Sequence, residues 1–463
     1  MKIKYILPLV WCLLLSCAVI GCTTSEQPLR QGQLSRHLEK ESLNQEESIN
    51  EERSVKVLRH SLDSYLKQTA LRNPGLRSVF SRWKAALERI PQAKSLPDPK
   101  FNYSYYISEV ETRVGPQNHR MGVAQVFPWF GTLELRNDKA SEEAKIARTQ
   151  FESKKVGLFF QVKAAYYEYY YLRRAIEITQ RNIDLLKSLE SVAQAKVRTG
   201  SGVGGVMQAQ LEIGKLEDQL KTLNDMREPF VGKLNAAIGW DLATDLPFPD
   251  TIGLTEFSID SEKLSRLIDL TNPELQGLKH QVEVNGIDIA LAKKQFYPEV
   301  QLGVDYIATG KASNPGISDS GKDPIMAMFS VNIPLWYGKR RAALSEARDH
   351  YDASLDFLKD FDNRLKAELK MAVFEFNDAE RKLSLYQHTL KPLAENSLNV
   401  AQESYERGGA DFLELIDSQR LLLEFQLSHE RASTDRETAI ANIERLIGQE
   451  IPRTLFKETK NQP

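Results

Sequence analysis

Residues 132–199 read TLELRNDKASEEAKIARTQFESKKVGLFFQVKAAYYEYYYLRRAIEITQRNIDLLKSLESVAQAKVRT, between Gly131 and Gly200. The stretch contains no proline and a single glycine, Gly157, and good helix formers fill most of the rest. Apolar residues return at helical spacing, from Ile146, Phe151, Val156 and Phe159 to Ile183, Leu186, Leu189 and Val192. A single helix over this span would be roughly 100 Å long, far beyond an ordinary globular helix. The chain is therefore built to span a distance. The tyrosine run Tyr166, Tyr167, Tyr169, Tyr170 and Tyr171 covers nearly the whole helix circumference, which suits packing between helices and subunits better than a binding site.

The 463 residues carry a net charge of −2, so no polybasic surface points to nucleic acid. All three cysteines (Cys12, Cys17, Cys22) fall in the first 22 residues, and the seven histidines are scattered. The body therefore has no disulfide framework and no metal-ligand cluster. No Ser/His/Asp set or nucleotide loop is present, no cofactor is implied, and the chain does not read as an enzyme.

Met1 to Gly21 has the charged start and apolar core of a secretory signal. Val19-Ile20-Gly21-Cys22 resembles a bacterial lipobox, which implies cleavage before Cys22, lipidation of its sulfur and sorting to the outer membrane. Leu14-Leu15-Ser16-Cys17 also fits, but cleavage there would leave apolar Ala18 to Gly21 on the mature end. Residues 22–55 are polar and read as a tether.

Beyond the tether the chain repeats itself. Asn73-Pro74 recurs as Asn272-Pro273, Phe127-Pro128-Trp129-Phe130-Gly131 as Ile333-Pro334-Leu335-Trp336-Tyr337-Gly338, and Ile238-Gly239 as Ile447-Gly448. The first unit is expected over 56–246, with strands at about 100–127, a long helix at 132–199 and a helix at 206–240. A linker, 247–259, carries Pro247-Phe248-Pro249. The second unit is expected over 260–452, with strands at about 299–333, a long helix at 339–407, which Pro392 should kink, and a helix at 411–447. A tail, 453–463, follows.

Phe101, Tyr103, Tyr105 and Ile107 alternate with Asn102, Ser104, Tyr106 and Ser108. Val300 to Ile307 and Ile325 to Ile333 alternate similarly, each run about ten residues, the length of a tilted strand across a bilayer. No mature segment is a continuous apolar run of 20, so any membrane-spanning part must be a closed barrel. Four strands cannot close one: either the chain oligomerises or the strands form a small soluble sheet. Phe127, Trp129, Phe130, Phe296, Tyr297, Trp336 and Tyr337 all fall where strand passes to helix, as an interfacial girdle would require.

Together these residues resemble the outer-membrane factor family, the TolC-like exit ducts of tripartite efflux pumps. The signal lies in Leu390-Lys391-Pro392-Leu393-Ala394-Glu395, Tyr405-Glu406-Arg407-Gly408 and Asp411 to Gln419, close to the family's tip motif. Phe127 to Gly131 looks most like the heavy-metal efflux branch. The resemblance implies a mainly α protein with a membrane β-barrel, built from two tandem helix–strand–strand–long helix–helix units. It implies a homotrimer with a twelve-stranded barrel and a long α-helical periplasmic tunnel. Its partners would be a periplasmic adaptor, an inner-membrane pump of the RND type and outer-membrane lipid. Type I protein secretion, or a soluble periplasmic coiled-coil scaffold, is the alternative reading.

Two sites follow from the resemblance. Gly200, Gly202, Tyr405, Gly408 and Gly409 lie at helix-hairpin tips where the adaptor would dock, though plain turns would also need glycines. Glu414 and Asp417 would line the periplasmic entrance as an acidic ring favouring cations. Asp411-x-x-Glu414 also reads as a capping box, which would explain Glu414 without a pore. Val206 and Met207 stand where the family often places a polar or acidic partner for Tyr405, which puts a tyrosine–carboxylate latch in doubt.

Overall fold

The computed structural model describes residues 61–198, 200, 202–252, 260–314 and 316–451. The expected signal, Cys22, the tether and the tail lie outside the described residues, as do residues 253–259 of the expected linker. The elements are α1 (Leu62–Arg72), α2 (Pro74–Leu87), α3 (Arg89–Lys94), β1 (Lys100–Val110), β2 (Gln117–Phe127), α4 (Thr132–Arg198), α5 (Gly204–Asp225) and α6 (Arg227–Ile238). Then come α7 (Ser261–Thr271), α8 (Pro273–Lys294), β3 (Val300–Thr309), β4 (Ile325–Val331), α9 (Tyr337–Leu385), α10 (Lys391–Arg407) and α11 (Phe412–Ile447).

The 67-residue α4 is the longest element and sets the length of a helical wall. Near the sheet it packs on α8, where Lys139 pairs with Asp288 at 2.6 Å and His280 Nδ1 lies 2.7 Å from Glu142. Farther down it packs on α11, where Arg174 meets Glu430 at 2.9 Å. Helix α9 follows the same order, so α8 and α11 lie end to end between α4 and α9. One apolar core fills the tip half, from Ile178 to Ala193 on α4 with Leu398, Leu415 and Leu422. A second, around Ile268, Leu369, Phe376 and Ile443, joins α7, α9 and α11.

Asparagines fix two corners. Asn73 Oδ1 accepts from Leu76 N and its amide donates to Ala237 O. Asn272 Oδ1 accepts from Leu275 N and its amide donates to Leu446 O. Each asparagine thus caps one helix while fastening it to the last turn of another. The tyrosine run is largely packing: Tyr166, Tyr167 and Tyr169 are buried. Tyr169 donates to Leu246 O at 2.8 Å and stacks on Phe248 at 4.6 Å, strapping the start of the linker onto α4.

Three expected spans need correction. Residues 206–240 are two helices rather than one, broken at Met226. Pro229 is the cause: it has no N–H for Asp225 O, so the α5 ladder stops there. The long helix 339–407 is interrupted by a π turn at Tyr386–Leu390, immediately ahead of Pro392. The wider turn absorbs the hydrogen bond that proline cannot donate. Strand β4 has seven residues, shorter than the expected ten; just beyond it Asn332 N still donates to Glu299 O at 3.3 Å, but the Asn332 side chain, not its carbonyl, accepts from Glu299 N.

The four strands form one antiparallel sheet in the order β1-β2-β3-β4. Register aligns Phe101 with Val123, Val123 with Val304 and Val304 with Ala327. One face therefore collects Phe101, Tyr103, Val123, Leu302, Val304 and Phe329, and it is open: Phe101 is 66% exposed and Phe329 68%. The other face carries Asn102, Ser104, Gln301 and Ser330, with Arg120 paired to Asp305 at 2.6 Å. The β1–β2 and β3–β4 connections are held together, Gly310 N donating to Pro116 O and Gly321 N to Val114 O at 2.7 Å each. No described helix is long and apolar enough to cross a membrane.

Candidate functional site

The tip-motif residues converge where α4 meets α5 and α10 meets α11. Helix α10 ends in Gly408 at φ 82°, whose N–H donates to Tyr405 O at 3.1 Å, while Gly409 N donates to Ser404 O at 2.9 Å. Gly200, at φ 101°, ends the other helix. These two positions need glycine for their conformation. Gly202 and Gly409 do not have positive φ.

Sequence reasoning missed Gly205, Phe412 and Lys196. A Cβ on Gly205 would stand 2.9 Å from Phe412 Cγ, so glycine there lets the two hairpins close on a buried phenyl ring. Tyr405 is buried with its ring 5.3 Å from Phe412, and Lys196 Nζ sits over it at 4.2 Å and also donates to Tyr405 O. Burial, reinforced by Asp411, raises the Tyr405 hydroxyl pKa. Val206 packs into the same apolar cluster. Tyr405 thus meets a cation and an aromatic edge here, with apolar Val206 close by.

Glu414 and Asp417 are both exposed on α11, one turn apart. Asp411 caps that helix by accepting from Phe412 N at 2.7 Å rather than from Glu414 N, so the capping box is not formed in its usual pattern. Asp417 pairs with Arg420 at 3.2 Å, and Arg420 reaches across to Glu212 on α5 at 2.7 Å. The hydrogen bond from Arg420 is the largest influence on Glu212 and holds its carboxyl below the usual range against the opposing effect of burial. Above this pair Gln419 is fully buried; it donates to Asn182 Oδ1 at 3.0 Å, and Asn182 donates to Gln426 Oε1 at 3.0 Å. These amides fix the register of α4 against α11 as buried polar residues do in coiled coils.

At the opposite end, the aromatic residues meet where strands pass to helices. Trp129 stacks on Tyr297 at 5.1 Å and contacts Phe130 at 5.7 Å, and Phe296 lies 6.3 Å from Tyr337. Phe130 and Trp336 are almost fully exposed, and Phe127 is partly so. Among the described residues no group of acids and histidines could hold a metal ion.

A four-stranded sheet open on its apolar face, an aromatic border and a helical wall ending in hairpin tips thus stand together in one chain. Residues 264–449 match the outer membrane efflux protein family. The chain is 23% identical over 328 residues to outer membrane protein OprJ of Pseudomonas aeruginosa, covering 69% of this chain and 67% of OprJ. It is 22% identical over 309 residues to solvent efflux pump outer membrane protein SrpC of Pseudomonas putida, covering 64% of this chain and 63% of SrpC. Among solved structures its fold is similar to that of outer membrane protein VceC of Vibrio cholerae. That match has a TM-score of 0.71 at 16% identity, covering 84% of this chain and 97% of VceC.

Proposed function

We propose that this chain is the outer-membrane exit duct of a tripartite efflux pump. It acts as a homotrimer and gives passage to metal ions or small toxic compounds without catalysis. One observation carries the reading. The sheet leaves its apolar face uncovered, its first and last strands each pair on one side only, and it continues into a helical wall about 100 Å long. An apolar face suits lipid, and unpaired strand edges are an aggregation liability unless another copy covers them. Three copies would close a twelve-stranded barrel over a common tunnel. The matching asparagine corners at Asn73 and Asn272 favour two tandem units in each copy.

In this reading Cys22 carries the lipid anchor, and most of the chain lies in the periplasm. The tips at Gly200, Gly202, Tyr405, Gly408 and Gly409 receive a periplasmic adaptor. Glu414 and Asp417 face the entrance, and energy comes from an inner-membrane pump of the RND type. The test uses a Cys22→Ala variant behind a cleavable signal, so that the lipid alone cannot hold the protein in the membrane. Light scattering of this variant in mild detergent should give a trimer that needed detergent for extraction. A monodisperse monomer with native strand content would overturn the reading.

A further inference from the structure

Where the helical wall meets the sheet, the ends of α4, α8 and α9 border an open cavity of about 680 Å³. Its volume falls within the range typical of small-molecule sites. Trp129 and Tyr297 form a stacked aromatic wall, and Arg136, Lys294, Lys339 and Arg340 bring four positive charges. Three carboxylates also line it, but Asp288 is already held by Lys139 at 2.6 Å, leaving Glu299 and Glu346. Lys294 donates to Phe130 O at 2.9 Å and Arg340 to Gln295 O at 2.6 Å, so both spend hydrogen bonds on neutral carbonyls. Arg136 and Lys339 have no ion pair among the described residues. The first turn of α9 contains no acid. Basic residues there oppose the positive end of the helix unless an anion sits beside them.

The register says which side the cavity faces. Val300 and Val331 are paired on the apolar face, so their neighbours Glu299 and Asn332 fall on the polar face, with Asp305 and Arg120. Both line the cavity.

We infer that this cavity binds amphipathic organic anions, an aromatic ring bearing a sulfonate, carboxylate or phosphate, on the pore side of the wall. The ring would lie against Trp129 and Tyr297, and the acid group would meet Arg136 and Lys339. Calling the ligand cargo rests on the duct reading; the binding itself does not.

The probe is 2-naphthalenesulfonate, titrated calorimetrically into the full-length protein in detergent. Arg136→Gln with Lys339→Gln should weaken binding about tenfold, and Glu299→Gln should tighten it. The uncharged 2-naphthol and inorganic sulfate should each bind at least about tenfold more weakly than the sulfonate. Unchanged affinity in both variants, or equal binding of 2-naphthol, would overturn the inference. Because Glu299→Gln acts in the opposite direction, misfolding of the double variant cannot imitate the result. In planar bilayers the sulfonate should also reduce the wild-type current. Binding that leaves an open channel's current unchanged would contradict the pore-side placement. Absence of any channel, with the calorimetric pattern intact, would sink the duct reading and leave the site standing.

Discussion

At the tip end of the wall, Lys196 lies over the Tyr405 ring and Arg420 spans Glu212 and Asp417. At the sheet end, Arg136 and Lys339 border an open cavity with no ion pair among the described residues. The tip also buries Phe412 to 2% exposure between two hairpins, whereas the sheet end presents Phe130 and Trp336 almost bare. The difference separates two uses of the same residue types. Cations and aromatics at the tip hold helices to one another, so their removal should be felt as lost stability. At the sheet end they are more exposed, so their removal should alter what the wall binds and barely disturb the fold.

The largest expected effect tests that contrast directly. Phe412→Ala leaves a cavity under Gly205 and Tyr405 and should cost about 3–5 kcal/mol locally. Hydrogen exchange in α10 and α11 would report it. Trp129→Ala loses one stack with Tyr297 and should cost about 1 kcal/mol in the neighbouring turns of α4 and α8. Equal losses at the two ends would erase the distinction.

A smaller effect should come from Arg420→Gln, about 1–2 kcal/mol at neutral pH, discounted because Arg420 is nearly half exposed. Its pH dependence has a definite sign. The folded-state pKa of Glu212 is depressed, so the pair contributes fully above the unfolded carboxyl value of about 4.3. That contribution is lost as pH falls through the lower folded value. The gap between wild type and Arg420→Gln, read from exchange in α5 and α11, should therefore be constant near neutrality and close on acidification. A gap that widened below about pH 4 would mean Glu212 is not the group responsible.

Much of the architecture was legible because it rests on local signals. Absence of proline marked Thr132–Arg198 as one helix, and apolar alternation marked the strands. The break at Met226 was missed because Pro229 stands where a first helical turn tolerates it, and only the preceding helix loses a bond. Asn182, Gln419 and Gln426 were missed for a different reason. A polar residue in a long amphipathic helix reads as surface until a second helix supplies its partner, here 237 residues away. Arg420 was hidden similarly, since its partner Glu212 lies on another hairpin. The sheet-end cavity is less legible still, because it needs three helix ends that only the strand pairing brings together.

The smallest effect concerns the entrance, and it turns on Arg420. Glu414 and Asp417 point from the same helix, and in a trimer six such carboxylates would surround one axis. Asp417, however, has a fixed cation 3.2 Å away, because Arg420 is anchored by Glu212 and cannot drift off. Its field at the axis is partly cancelled. Glu414 has no ion pair among the described residues and is not needed for the cap, which Asp411 makes with Phe412 N. Reversal potentials in a potassium chloride gradient should therefore show Glu414→Gln weakening cation preference roughly twofold and Asp417→Asn weakening it less. Arg420→Gln should strengthen it. Stability should change by no more than about 0.5 kcal/mol in Glu414→Gln. A loss nearer 1 kcal/mol with unchanged selectivity would assign Glu414 to the helix dipole rather than to the pore. A larger shift from Asp417→Asn than from Glu414→Gln would show that Arg420 does not screen its neighbour, and that the tip's charges are not confined to packing.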